Sequence, residues 1–131
     1  MVAMTGLFSR FGRLLSRFRH PVSLPEDVAI ALGFDLSNFL SLEQLLQQFR
    51  RRAVHPSRLI RFMPRKEAES AFSLAVRCER FGCHTICSYH FQSTWLEFRL
   101  QFDDCDRLRR VYVLHKEIAE EEGIELPLIR Y

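Results

Sequence analysis

The chain has 131 residues, room for one domain or one domain with an appendage. With 47% apolar and 27% charged residues it can build a packed core, which excludes wholesale disorder. Five Gly and five Pro exclude a collagen-like or low-complexity chain, and no apolar run approaches the roughly 18 residues that span a bilayer. The formal charge of +3 hides an uneven make-up: of 19 basic residues only Lys66 and Lys116 are lysine. Arginine is the residue of forked contacts to carboxylates and phosphates.

In chain order, residues 6–19 come first. At about 100° per residue, Leu7, Phe8, Phe11, Leu14, Leu15 and Phe18 fall on one arc. Arg10, Arg13, Arg17 and Arg19 lie off it, and no acidic residue precedes Glu26. This is a basic amphipathic helix, suited to an anionic membrane surface or to docking on a protein, and it also has the character of a mitochondrial presequence. Residues 1–20 hold no long apolar segment of the secretory kind. The cytoplasm, with peripheral attachment at the inner membrane as a variant, is the expected location.

Residues 21–54 predict two short helices. Ser23-Leu24-Pro25-Glu26 has a capping-box pattern with Pro in the first turn, and Gly33 can end that helix. Ser41-Leu42-Glu43-Gln44 repeats the box, followed by Leu42, Leu45, Leu46 and Phe49 at helical spacing. Arg50, Arg51 and Arg52 then sit where a helix C-terminus favours cations, with a phosphate patch as the functional alternative.

Residues 55–131 predict a compact α+β unit. Ser57–Met63 is a short apolar strand ended by Pro64, and Arg65–Phe81 is a helix with Ala68, Ala71, Phe72, Ala75 and Val76 on one side, stopped by Gly82. Cys83–Phe91 and Thr94–Phe102 are β-rich runs joined at Gln92-Ser93, a hairpin. Asp103, Asp104 and Asp106 crowd the start of a further helix whose stripe is Leu108, Val111, Leu114, His115 and Ile118, ended by Gly123. Ile124–Ile129 is a last strand, at an edge because of Pro127. The order β-α-β-β-α-β is the ferredoxin-like arrangement, with both helices on one sheet face.

Alternation then assigns side chains to the other face. Thr94, Leu96, Phe98, Leu100 and Phe102 turn inward, as do Thr85, Cys87, Tyr89 and Phe91. With Ile60 and Phe62 toward the helices, the outward face collects Arg61, His84, His90, Trp95 and Arg99 as a candidate partner-binding set. Rings beside guanidinium groups suit single-stranded RNA, and they equally suit a protein partner; a third arrangement has the N-terminal helices covering this face. The RNA-recognition motif fails here: Thr94-Trp95-Leu96-Glu97-Phe98-Arg99 has no Gly and puts Glu97 mid-face.

No catalytic fingerprint occurs, and His115 on an apolar stripe reads as a core or boundary histidine. Cys78, Cys83, Cys87 and Cys105 contain no CxxC pair and read as small buried hydrophobes, although His84 and His90 lie near enough in sequence to raise a metal alternative. The five Glu between 117 and 125 read as a solvated face. No cofactor is implied.

The run His55-Pro56-Ser57-Arg58-Leu59-Ile60-Arg61-Phe62-Met63-Pro64, the helix start Lys66-Glu67-Ala68-Glu69-Ser70-Ala71-Phe72, Phe81-Gly82-Cys83, Trp95-Leu96-Glu97-Phe98 and Ile118-Ala119-Glu120-Glu121-Glu122-Gly123 form one further pattern. It resembles the domain of the regulator of ribonuclease E activity B (RraB) family over roughly residues 50–126. The family's closing Tyr-Asp-Gly-Trp box is replaced by Ile124-Glu125-Leu126-Pro127-Leu128, and its acidic character by a net basic charge. The resemblance implies a non-catalytic regulator that inhibits an RNA-degrading endonuclease by direct contact. The expectation is therefore a regulatory or adaptor protein that binds another protein, with an RNA-binding module and a peripheral membrane protein acting through residues 6–19 as the alternatives.

Overall fold

The structure, a computed structural model, describes residues 22–34 and 41–130. The proposed membrane or partner helix, with Phe8, Arg10, Phe11, Arg13, Leu14, Leu15, Arg17 and Phe18, lies outside the described residues. Three helices, α1 (Pro25–Leu32), α2 (Leu42–Arg50) and α3 (Arg65–Ser70), precede five strands: β1 (Arg77–Phe81), β2 (His84–Phe91), β3 (Thr94–Phe102), β4 (Leu108–Leu114) and β5 (Ile124–Leu126).

The β2–β3 hairpin is where local chemistry speaks most clearly. Its turn is Gln92-Ser93, and the pairs run from Phe91–Thr94 to His84–Gln101 without a slip. Along β3, Leu96, Phe98, Leu100 and Phe102 are buried while the residues between them are half-exposed, the period of two expected of a strand with one face on a core. Phe98 is the hub of that core. Its ring lies 5.9 Å from Phe49 of α2, 5.4 Å from Phe72 and 5.8 Å from Tyr89. Val28, Ala31 and Leu32 of α1 join the same cluster, so α1 and α2 share one core with the sheet.

The helices begin much as their sequences dictate. Ser41 accepts from the Gln44 amide while the Gln44 side chain accepts from the Ser41 amide, a reciprocal capping box. At α1 the cap is different: Asp27 accepts from the Leu24 amide at 2.9 Å. Ser23 is instead tied to the end of β2, its amide donating to the His90 carbonyl at 2.6 Å and its hydroxyl accepting from the His90 amide at 3.1 Å. Gly33 ends α1 at φ +78°, and a Cβ there would come within 2.5 Å of the Ser57 hydroxyl.

The α+β class is as expected, but the ferredoxin-like order is not observed. All five strands are antiparallel neighbours in the order β1-β2-β3-β4-β5. Three segments differ from expectation, each for a local reason. Ser57–Met63 is not a strand, because Phe62 has φ +71°; it makes isolated bridges, Ile60 to Ile129 and Pro64 to Arg107 being the paired residues on either side of the bend. That bend reverses the facing: Leu59 and Met63 are buried and Phe62 is 48% exposed. The helix expected over Arg65–Phe81 stops at Ser70, and Arg77–Phe81 turns back on β2 through Gly82-Cys83. Gly82, at φ +59°, occupies the first central position of a two-residue hairpin turn, where glycine is favoured.

The third difference replaces the second helix with β4. Asp103 accepts from the amides of Cys105 and Arg107 at 2.9 and 3.0 Å, a turn made by a short acidic side chain rather than a helix cap. After it, Gln101 pairs with Arg110 but Phe102 with Leu108, so Arg109 is the extra residue of a bulge. One inserted residue makes buried Leu108 and Val111 three apart and mimics a helical stripe. The β-branched and aromatic Val111-Tyr112-Val113 favours the strand. Pro127 follows directly after β5, the edge strand.

Candidate functional site: the outward face of the sheet

Helices α1, α2 and α3 all contribute to the core on the inner face, so the residues between the buried ones point the other way. Pairing aligns these into rows: Glu79 opposite Ile86, Ile86 opposite Arg99, Arg99 opposite Tyr112, Tyr112 opposite Glu125. A neighbouring row runs Arg77, Ser88, Glu97, Leu114, and a third Phe81, His84, Gln101, Arg110.

Two arginines of this face lie over rings. The Arg77 guanidinium sits 4.9 Å from the Trp95 ring centre, and Arg99 sits 4.7 Å from that of Tyr112. Trp95 in turn meets His90 at 4.7 Å between ring centres. Carboxylates are interleaved. Arg77 pairs with Glu79 at 3.3 Å, with side chains 42% and 52% exposed, and Arg110 with Glu125 at 3.9 Å, with side chains 59% and 53% exposed. Glu97 accepts from the Ser88 hydroxyl at 3.3 Å. Three arginines and three glutamates thus share the surface; Arg77 also pairs with Glu79, and Arg99 donates to the Glu122 carbonyl at 3.4 Å.

Of the residues expected here, His84, His90, Trp95 and Arg99 do lie on this face. Arg61 does not belong to it; it sits in the bend before α3, its guanidinium 4.8 Å from the Phe62 ring centre, with Arg109 on the same ring at 5.2 Å. The N-terminal helices α1 and α2 pack on the inner face, so they do not form the third arrangement, in which they cover the outer one. Arg77, Glu79 and Tyr112 were not foreseen, because their strands read as helices. The signals were present in the Gly-containing turn at residue 82 and in the Val-Tyr-Val run of β4.

A second arginine cluster is structural. Arg65, 7% exposed, donates to the Gly82 carbonyl at 3.0 Å, the His84 carbonyl at 2.9 Å, the Thr85 hydroxyl at 3.1 Å and Asp106 at 3.2 Å. Its guanidinium also lies 4.7 Å from the Phe102 ring centre. Glu69 accepts from Thr85 at 2.6 Å and from both ends of the Arg80 fork. Burial opposes the charge on Glu69, but the hydrogen bonds from Arg80, Thr85 and Arg65 and the charge of Arg80 outweigh it and hold the carboxyl below its ordinary value. These bonds tie α3 to the β1–β2 and β3–β4 turns and leave little donor capacity for a ligand.

The remaining candidates resolve as follows. Arg50 and Arg52 face Glu117 and Glu120 at 3.6 and 3.2 Å, so those glutamates pin the segment after β4 instead of only facing water. Three cysteines, Cys78, Cys83 and Cys105, are exposed, and only Cys87 is a buried hydrophobe; all four are free. Among the described residues no three His, Cys, Asp or Glu side chains gather to hold a metal. His115 is buried and its Nδ1 accepts from the Glu117 amide at 3.0 Å; burial pushes its imidazole below the ordinary 6.5 despite Glu117. A groove of about 840 Å³ between the starts of α1 and α2 and the β2–β3 turn carries Glu26, Glu43 and Glu117 on apolar walls of Leu24, Leu42 and Phe91. It holds neither a histidine nor a cysteine, so the groove brings no nucleophile–base pair together. No described helix is long and apolar enough to cross a membrane. Comparison with protein-family models, curated proteins and solved structures finds no match for this chain.

Proposed function

We propose that the chain is a non-catalytic regulatory or adaptor protein of the cytoplasm, and that it binds another protein across the outward face of its sheet. One observation carries this: arginines stacked on aromatic rings, Arg77 on Trp95 and Arg99 on Tyr112, alternate with Glu79, Glu97 and Glu125. Arg, Trp and Tyr are the residue types that anchor protein interfaces. A surface that follows a phosphate backbone needs an excess of positive charge, and here three glutamates equal the three arginines in number, with Arg77 paired to Glu79 and Arg110 to Glu125. A partner with the same alternation of acidic and basic groups fits better than RNA. The resemblance to the RraB domain names one candidate, an RNA-degrading endonuclease of the ribonuclease E type, inhibited by contact.

The test uses the full chain. Pull-down from a native lysate should capture a protein that survives nuclease and moderate salt and is lost with Arg99→Glu. A purified ribonuclease E-type endonuclease should be slowed by the wild-type chain and not by that variant. Capture that nuclease abolishes and salt weakens steeply overturns the protein-binding reading in favour of RNA. Sedimentation with anionic vesicles, abolished by Phe11→Asp while Arg99→Glu has no effect on any binding, overturns it in favour of a membrane role for residues 6–19.

A further inference from the structure

The register of the first hairpin places two thiols face to face. Cys78 of β1 is directly opposite Cys87 of β2. Opposed residues of an antiparallel pair have Cα atoms about 4.5 to 5.5 Å apart and side chains on the same face. That span lies within the roughly 4.4 to 6.8 Å that a disulfide bridges. The neighbours Arg77 and Glu79 project outward, so Cys78 turns inward, its Sγ 3.9 Å from the Phe72 carbonyl.

The two thiols are not equivalent. Cys78 lies on an edge strand and is exposed, whereas Cys87 is completely buried. The facing Cys87 thiol lowers the pKa of Cys78, more than burial and the Glu69 charge raise it. Cys87 moves the other way: its position facing Cys78 and its burial push its thiol up. The exposed thiol ionises first and the buried one keeps its proton. Cys83 and Cys105 stand in the two turns, and neither is opposite another cysteine in the strand register.

We propose that Cys78 and Cys87 form a reversible cross-strand disulfide, closed by a hydroperoxide and opened by a thiol reductant. Cys78 is the attacking group. Its thiolate displaces hydroxide from hydrogen peroxide, forming an S–O bond as the O–O bond breaks, and becomes a sulfenic acid. The Cys87 sulfur then attacks the Cys78 sulfur; the S–S bond forms, the S–O bond breaks, and the hydroxyl leaves with the Cys87 proton as water. Two thiols and one hydrogen peroxide give one disulfide and two waters. An accessible, readily ionised thiol beside a protected resolving thiol is the arrangement that stops oxidation at the disulfide. The bond staples β1, with Arg77 and Glu79, to the sheet. It does not depend on any partner docking on the outward face.

The reduced full chain is exposed to stoichiometric hydrogen peroxide at neutral pH, capped with N-ethylmaleimide and mapped by mass spectrometry without reduction. The expected product has lost two hydrogens, joins Cys78 to Cys87, carries the cap on Cys83 and Cys105, and reverts with dithiothreitol. The double variant Cys83→Ser/Cys105→Ser should give the same product at the same rate. Cys78→Ser should give no disulfide, and Cys87→Ala should leave a sulfenic acid on Cys78 that dimedone captures. Should Cys87→Ala fail to fold by circular dichroism, the wild-type map and exposed-site Cys78→Ser still decide. A cross-link through Cys83 or Cys105, or sulfinic acid on Cys78 with Cys87 still a free thiol, overturns the proposal.

Discussion

The two faces of β3 use the same strand for opposite purposes. Inward, Leu96, Phe98, Leu100 and Phe102 are sealed beneath the helices; outward, Trp95, Glu97, Arg99 and Gln101 remain half-exposed. Arginine shows the contrast most directly. Arg65 is buried and spends its donors on Gly82, His84, Thr85 and Asp106, whereas Arg99 sits over the Tyr112 ring. A guanidinium removed from water must have its donors satisfied within the fold, so it becomes a structural tie. Arg99, half-exposed over a ring, donates to the Glu122 carbonyl at 3.4 Å and stays within reach of a ligand.

The largest expected effect tests the inner face. Phe98→Ala should cost about 4 kcal/mol in denaturant unfolding, since the cavity opens between Phe49, Phe72 and Tyr89. Arg99→Ala should cost no more than about 1 kcal/mol. Equal losses for the two would erase the distinction between the faces. Next comes Arg65→Met, expected to lose about 3 kcal/mol because it leaves the Gly82 and His84 carbonyls without this donor and removes one of the cations facing Glu69. A chain unaffected by that change would show the cluster to be dispensable.

A smaller effect should have the opposite sign. Tyr89 is fully buried and its hydroxyl has no hydrogen-bond partner among the described residues, so Tyr89→Phe should raise stability by about 1 kcal/mol. Loss of stability on that change would mean the hydroxyl is satisfied in solution. The smallest effect is a pH slope. The folded chain holds His115 below its ordinary 6.5, so near and below that pH the unfolded chain binds more protons. Stability should therefore fall as pH drops from 6.5 toward the folded value and level off beneath it. Thermal melts of His115→Gln, whose amide oxygen can still accept from the Glu117 amide, should show a shallower fall across that interval.

The candidate face was partly legible beforehand. His84, His90, Trp95 and Arg99 sit on strands whose alternation is unbroken, so their side could be read from spacing alone. Arg77 and Tyr112 belong to strands that imitate helices. Alanines and Phe72 at helical spacing run into β1, and the extra residue Arg109 puts Leu108 and Val111 on a false three-residue period. Alternation places Arg61 on the sheet because Phe62 reads as an ordinary strand residue, and nothing in the residue types announces its positive φ.

Local chemistry determined what lies within a few residues: the Ser41–Gln44 cap, the end of α1 at Gly33, and the hairpin turning at Gln92-Ser93. Each rests on hydrogen bonds or backbone freedom that neighbouring residues supply. Tertiary structure decided the rest. Whether β4 existed, and whether the strands followed one another as a meander, depended on pairings such as Phe98 with Val113 and Val113 with Ile124. Those contacts lie outside the segment itself, and the buried area they gain overrides the helix-like spacing of its apolar residues.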